Sequence, residues 1–125
     1  AVPHERPTII TQQWAEAGMR EQKSAGLARA LFCVRLLEQK STSTPEERLS
    51  FLVGAFVAAD LDGFRKQGVF APEKAVLITG GGALAELWLQ ALTRENIVTR
   101  ILSAEEVERS LLSGLREILT QTKAF

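Results

Sequence analysis

Apolar residues recur at three- and four-residue spacing along most of this chain, and short β-branched runs interrupt that rhythm in two places. Thr8 to Lys23 reads as a helix with Ile10, Trp14 and Met19 turned inward. Ser24-Ala25-Gly26 breaks it, and a second helix runs from Leu27 to Gln39 with Leu27, Leu31, Val34 and Leu37 on one stripe. After the polar loop Ser41 to Thr44, a Thr-x-x-Glu capping box (Thr44, Glu47) with Pro45 at the first helical position opens a third helix. Its inward positions are Leu49, Leu52, Val53, Phe56, Val57, Leu61 and Phe64, and Gly68 is its stop signal.

From there the rhythm changes. Ala75 to Thr79 is a short apolar strand, three consecutive glycines follow, and a helix runs from Ala83 to Thr93. Ile97 to Leu102 is a second strand, and Ser103 with Glu106 caps a last helix that presents Val107, Leu111, Leu115, Ile118 and Leu119 for burial. Strand, helix, strand, helix implies two parallel strands, and parallel sheets are covered on both faces. Two strands are too few to stand alone. Either the lead-in adds a strand or further strands come from elsewhere; the second option fits the helical lead-in better. The expected organisation is one domain over residues 1–125, with a helical lead-in at 1–43 and an α-β-α-β-α subdomain at 44–125. The fold class is α/β, helix-rich, with a small parallel sheet of few strands.

Composition narrows the roles. The 125 residues are 46% hydrophobic, enough for a real core. Fifteen basic and fifteen acidic residues cancel, so no broad attraction to nucleic acid or to an anionic membrane is expected. No apolar run reaches a membrane span of roughly 20 residues. The single cysteine, Cys33, rules out an internal disulfide and fits a cytoplasmic setting, and with the lone His4 it is too little for a zinc site. The only methionine is Met19, so a piece of a longer protein is expected.

Gly80-Gly81-Gly82 admits three roles. It can be a ligand-free strand-to-helix turn, in which case the chain is a non-catalytic α/β interaction module. It can be a dinucleotide turn, because Gly80-x-Gly82-x-x-Ala85 fits a relaxed G-x-G-x-x-G/A pattern. Against that, the pattern comes late in the chain, one further strand–helix unit follows, and Leu102 and Ser103 stand where an acidic residue belongs. Or it can let a backbone approach a nucleotide, since glycine lacks Cβ and the first helix amides are unpaired donors.

Ile78-Thr-Gly-Gly-Gly-Ala-Leu-Ala-Glu-Leu-Trp-Leu-Gln90 resembles the glycine turn and following helix of carbohydrate kinases. Trp14-x-x-x-Gly18, Leu31-Phe-Cys-Val-Arg35, Leu49-Ser-Phe-Leu-Val-Gly54, the glycine turn and Ser113-Gly-Leu115 together resemble the C-terminal portion of the 2-dehydro-3-deoxygalactonokinase family. The landmarks fall in that family's order over nearly the whole chain. The triple glycine departs from the family and is closer to the turn of the wider sugar kinases. The resemblance implies the second half of a ribonuclease-H-like (actin-like ATPase) domain, with ATP in a cleft between two domains. It implies Gly80, Gly81, Gly82 and Ala83 against the adenosine, with Mg²⁺ and the sugar-acid site supplied mainly by the remaining kinase domain or another chain. A chain of this kind alone is expected to be inactive.

Other chemistry is sparse. Arg35 is either a ligand or cleft contact or an exposed arginine paired with a neighbour such as Glu38. Cys33 has no histidine to activate it and reads as a small apolar residue. Asp60 and Asp62 fall short of a calcium-loop pattern and read as solvated. Glu86, placed in the first turn after the glycines, would repel a phosphate there and so favours adenosine over the triphosphate tail. Trp88 reads as core, with base stacking the lesser alternative. No carboxylate stands out as a catalytic base, and no residues assemble into a metal site.

Overall fold

The computed structural model describes residues 10–123 in the order α1 (Gln12–Ala25), α2 (Leu27–Lys40), α3 (Pro45–Lys66), β1 (Val76–Ile78), α4 (Gly82–Arg94), β2 (Thr99–Ile101) and α5 (Ala104–Lys123). The expected order of elements is all there; His4 and the proposed start of the first helix at Thr8 lie outside the described residues.

The boundaries form for the anticipated reasons. At the α1–α2 junction Gly26 takes φ +88°, which ends one helix and starts the next without a side-chain penalty. The Thr44 capping box closes in both directions: the Glu47 amide donates to Thr44 Oγ1 at 3.1 Å, and the Thr44 amide donates to Glu47 Oε1 at 2.8 Å. Helix α3 ends in a Schellman motif, with Gly68 at φ +69° and the Val69 amide donating to the Phe64 carbonyl at 3.1 Å. The Ser103–Glu106 box likewise starts α5.

The closest packing is α1 on α3, where Ala15, Gly18, Ser50, Gly54 and Ala55 are all buried. A Cβ on Gly18 would collide with the Phe51 carbonyl, and one on Gly54 with the Ala15 carbonyl. Only glycine lets the two backbones come this near. Ser50, fully buried, accepts a hydrogen bond from the Thr11 amide at 2.8 Å and donates to the Glu46 carbonyl at 2.8 Å. Its hydroxyl is thus satisfied within the interface.

This crossing keeps most of each stripe expected from sequence against the core and turns a few of its large residues outward. On α3 Val57 and Leu61 are buried as expected, and the small Ala55 and Ala58 join them, whereas Phe56 and Phe64 are exposed. On α2 Leu27, Val34 and Leu37 pack against the core around the buried Ala30, as expected, and only Leu31 of that stripe is exposed. Met19, Val57, Ala58 and Leu61 join Leu87, Ala91 and Leu92 of α4 in one cluster, while Phe51 and Ala55 pack with Ala30 in another.

β1 and β2 form a two-stranded parallel sheet in the register Val76–Thr99, Leu77–Arg100 and Ile78–Ile101. Leu77 of β1 and Val98, just ahead of β2, remain exposed. The last helix also departs from expectation: Leu111, Leu115, Ile118 and Leu119 are exposed and Val107 only half-buried. Among the described residues no element packs extensively on that face.

Candidate functional site

The glycine turn follows directly from β1. Gly80 sits at φ +102° and Gly82 at φ +81°, both in the region that favours glycine. Gly81 differs: at φ −134° and ψ −176° it is ordinary extended backbone. A Cβ added at any of the three would meet nothing within 4 Å. Gly80 and Gly82 are therefore explained by their backbone angles, whereas neither conformation nor packing in this chain demands glycine at 81. Gly81 is the N-cap of α4, and no side chain caps that end. The first amides of α4 are left as donors without intrahelical acceptors.

An open cavity of about 610 Å³ lies against this turn, lined by Gly80, Gly81, Val76, Ile78, Leu84, Trp88, Phe64 and Phe70 among others. No charged side chain lines it. Trp88 and Phe64 are tilted against each other with ring centroids 6.2 Å apart, and Phe70 meets Phe64 edge-on at 6.3 Å. Trp88 also packs against the core from its half-buried position, as its apolar spacing anticipates. The volume falls in the usual range for small-molecule pockets, and the lining of aromatic rings with a few backbone donors suits a flat, largely apolar ring with polar edges.

The structure separates the site residues expected from sequence. Gly80 and Gly81 line the cavity, but Gly82 does not. Ala83 borders a different, smaller hollow with Ile10, Gln12 and Glu86. Glu86 therefore lies away from the cavity, and because α4 starts at Gly82 it falls beyond the first turn. A repulsion between Glu86 and a phosphate is thus not a feature of the cavity. Arg35 is exposed on α2, lines neither space, and makes no ion pair with Glu38 among the described residues. Phe64 and Phe70 are the wall residues that sequence reasoning missed. Phe64 carries the periodicity of a core residue, and Phe70 stands in a loop where spacing carries no signal.

Cys33 and Asp62 have partners away from the cavity. Burial, and next the Glu21 carboxylate, push the Cys33 thiol up, and its Sγ–H donates to Glu21 Oε1 at 3.7 Å. That keeps Cys33 a protonated, unreactive thiol at neutral pH. Asp62 pairs with Lys66 at 3.2 Å. Among the described residues no group of three or more His, Cys, Asp or Glu side chains is placed to hold a metal ion, and no helix is long and apolar enough to cross a membrane.

A glycine turn between a parallel strand and an uncapped helix, opening on an aromatic-walled cavity, belongs to a helix-rich α/β segment with a small parallel sheet. A family model described as 2-keto-3-deoxy-galactonokinase matches residues 4–118, and the chain belongs to that family of sugar-acid kinases. This is the family whose landmarks the sequence carries, the keto and dehydro names denoting the same sugar acid. Comparisons with curated proteins and with solved structures return no match.

Proposed function

We propose that this chain supplies the adenosine-side wall of the ATP site in a kinase that phosphorylates a 2-dehydro-3-deoxy sugar acid such as 2-dehydro-3-deoxygalactonate. The observation that carries this is Gly81. Its backbone angle and packing do not require glycine, its N-cap preference apart, and the missing side chain leaves the backbone open where it borders the cavity. A ligand seated close to that backbone supplies the reason. Trp88, Phe64 and Phe70 offer apolar surface for the base, and the uncapped amides of α4 offer donors to its polar edge or to the ribose.

The same cavity is unsuited to the rest of the nucleotide. It has no cation to meet the triphosphate, and the described residues hold no carboxylate cluster for Mg²⁺. Phosphoryl transfer rests on positioning and on neutralising charge at the phosphates. Those tasks, and the base that activates the sugar hydroxyl, fall to the remaining kinase domain or to another chain. Family membership supports the kinase reaction, and the exposed surface at Leu77 and Val98 supports a missing complement. The setting is cytoplasmic, where ATP is available. The present chain by itself binds without catalysing.

Gly81→Val in the full kinase tests the assignment. Valine fits the extended backbone at 81 but projects into the space beside the cavity, so the KM for ATP is expected to rise by about tenfold or more. The thermal midpoint should stay close to that of the parent. Unchanged ATP affinity at unchanged stability would remove the nucleotide role and leave a ligand-free turn.

A further inference from the structure

The side chains around the cavity at the glycine turn carry two hydrogen-bonding groups, the Thr79 hydroxyl and the Trp88 indole N–H; the rest of the lining is aliphatic, aromatic or glycine. No carboxylate, carboxamide or guanidinium is among them. One base is told from another by its edge. Adenine offers an amino donor beside a ring acceptor, whereas guanine offers a carbonyl acceptor beside a ring N–H and a second amino group. Strong rejection of one of them takes a group fixed as donor or acceptor against those atoms, which the wrong base leaves unpaired. We infer that the site takes purine nucleoside triphosphates as a class, GTP and ITP as well as ATP, an inference that rests on the adenosine assignment proposed above.

Each contact that the lining offers is shared between purines. Aromatic rings hold a base by its face, and every base has one, so stacking on Phe64, Phe70 or Trp88 does not select among them. The Thr79 hydroxyl rotates; it can donate to the guanine carbonyl or accept from the adenine amino group, and so accommodates either edge. The donors fixed in place are the first main-chain amides of α4, which no side chain caps. Together with the indole N–H they suit the ring acceptors N3 and N7, which adenine and guanine have in common. An open space of about 610 Å³ also leaves room for the 2-amino group that adenine lacks. Apolar walls of this kind discriminate weakly even against a ligand that carries an added polar group.

Calorimetric titration of the full kinase with ADP, GDP and IDP tests this. The three dissociation constants are expected to agree within about tenfold. Phe64 is 42% exposed, so Phe64→Ala should leave the fold intact while weakening ADP and GDP together, by about fivefold or more. Thr79→Val keeps the β-branched shape and should leave the ratio of the ADP and GDP constants unchanged. Binding of GDP more than about tenfold weaker than that of ADP overturns the inference. A Phe64→Ala effect confined to one nucleotide overturns it too, as does a Thr79→Val variant that loses one nucleotide and keeps the other. The wild-type and Thr79→Val titrations keep the test decisive should Phe64→Ala disturb folding. Gly81→Val separates these failures from failure of the underlying assignment. If it weakens ADP in a kinase that rejects GDP, the adenosine site stands and only its tolerance falls. If it leaves all three constants unchanged, both fall.

Discussion

Glycine serves two different ends in the two halves of this molecule. At the α1–α3 crossing, Gly18 and Gly54 are buried, and the partner helix's backbone occupies the space a side chain would need. At the β1–α4 turn, Gly80, Gly81 and Gly82 are exposed, and the corresponding space is open. In the first region the chain itself accounts for the missing Cβ. In the second, backbone angles account for Gly80 and Gly82, whereas at Gly81 only the mild N-cap preference for glycine comes from within the chain. A glycine beside a cavity that neither packing nor conformation requires is a stronger pointer to a ligand than a glycine count.

The contrast breaks most severely if Gly54→Leu is tolerated. The new side chain would meet the main-chain carbonyl of Ala15, which cannot rotate away as a side chain could. The helices must separate, and the variant should lose at least about 3 kcal/mol of unfolding free energy in urea titration. A loss under about 1 kcal/mol would mean that the close crossing is not what holds the helical half together. Next in size are Gly80→Ala and Gly82→Ala, each expected to cost about 1–2 kcal/mol in the same titration because an L-residue is strained at those positive φ angles. Gly81→Val should cost less than about 1 kcal/mol, and that only because valine is a poorer N-cap than glycine. The middle glycine thus separates from its neighbours by stability, just as ATP affinity should set it apart in the full kinase.

The two regions were also unequally legible. Element order and both capping boxes follow from local chemistry: Thr44 with Glu47 and Ser103 with Glu106 declare their helix starts without tertiary information. Which face each helix buries follows only in part, because large apolar residues dominate a spacing argument while small ones dominate a close crossing. Phe56 thus reads as core and is exposed, whereas Ser50 reads as polar and is fully buried. The landmarks Trp14-x-x-x-Gly18 and Leu49 to Gly54 were visible as a family pattern, and their physical content is that crossing. For α5, periodicity announces an apolar face but cannot say whether the cover lies in the same chain. The candidate site was half visible: Gly80 and Gly81 stand at the cavity, while Ala83 and Arg35 stand elsewhere, since contiguity in sequence does not make residues share a face of a helix.

The smallest expected effect concerns what ties the two halves together. Glu95, just past α4, pairs with Arg65 of α3 at 2.7 Å and with Lys23 of α1 at 3.3 Å. Its partial burial alone would raise the carboxyl pKa, but the opposing pull of Lys23 and Arg65 together prevails and holds it below the ordinary value of 4.5. A carboxylate lowered on folding contributes stability that is fully present above its unfolded value and is lost as pH falls through the folded one. Urea midpoints should therefore decline below about pH 4.5, and Glu95→Gln should show a shallower decline than the parent chain. Glu16, lowered chiefly by Arg94, keeps its own share in both proteins, so the difference between the two profiles belongs to Glu95. The pair partners are half exposed, so screening limits that difference to under about 1 kcal/mol. Identical pH profiles would mean that apolar packing of Leu87, Ala91 and Leu92 alone fixes α4 on the helical half; a shallower variant profile would make Glu95 the electrostatic part of that joint.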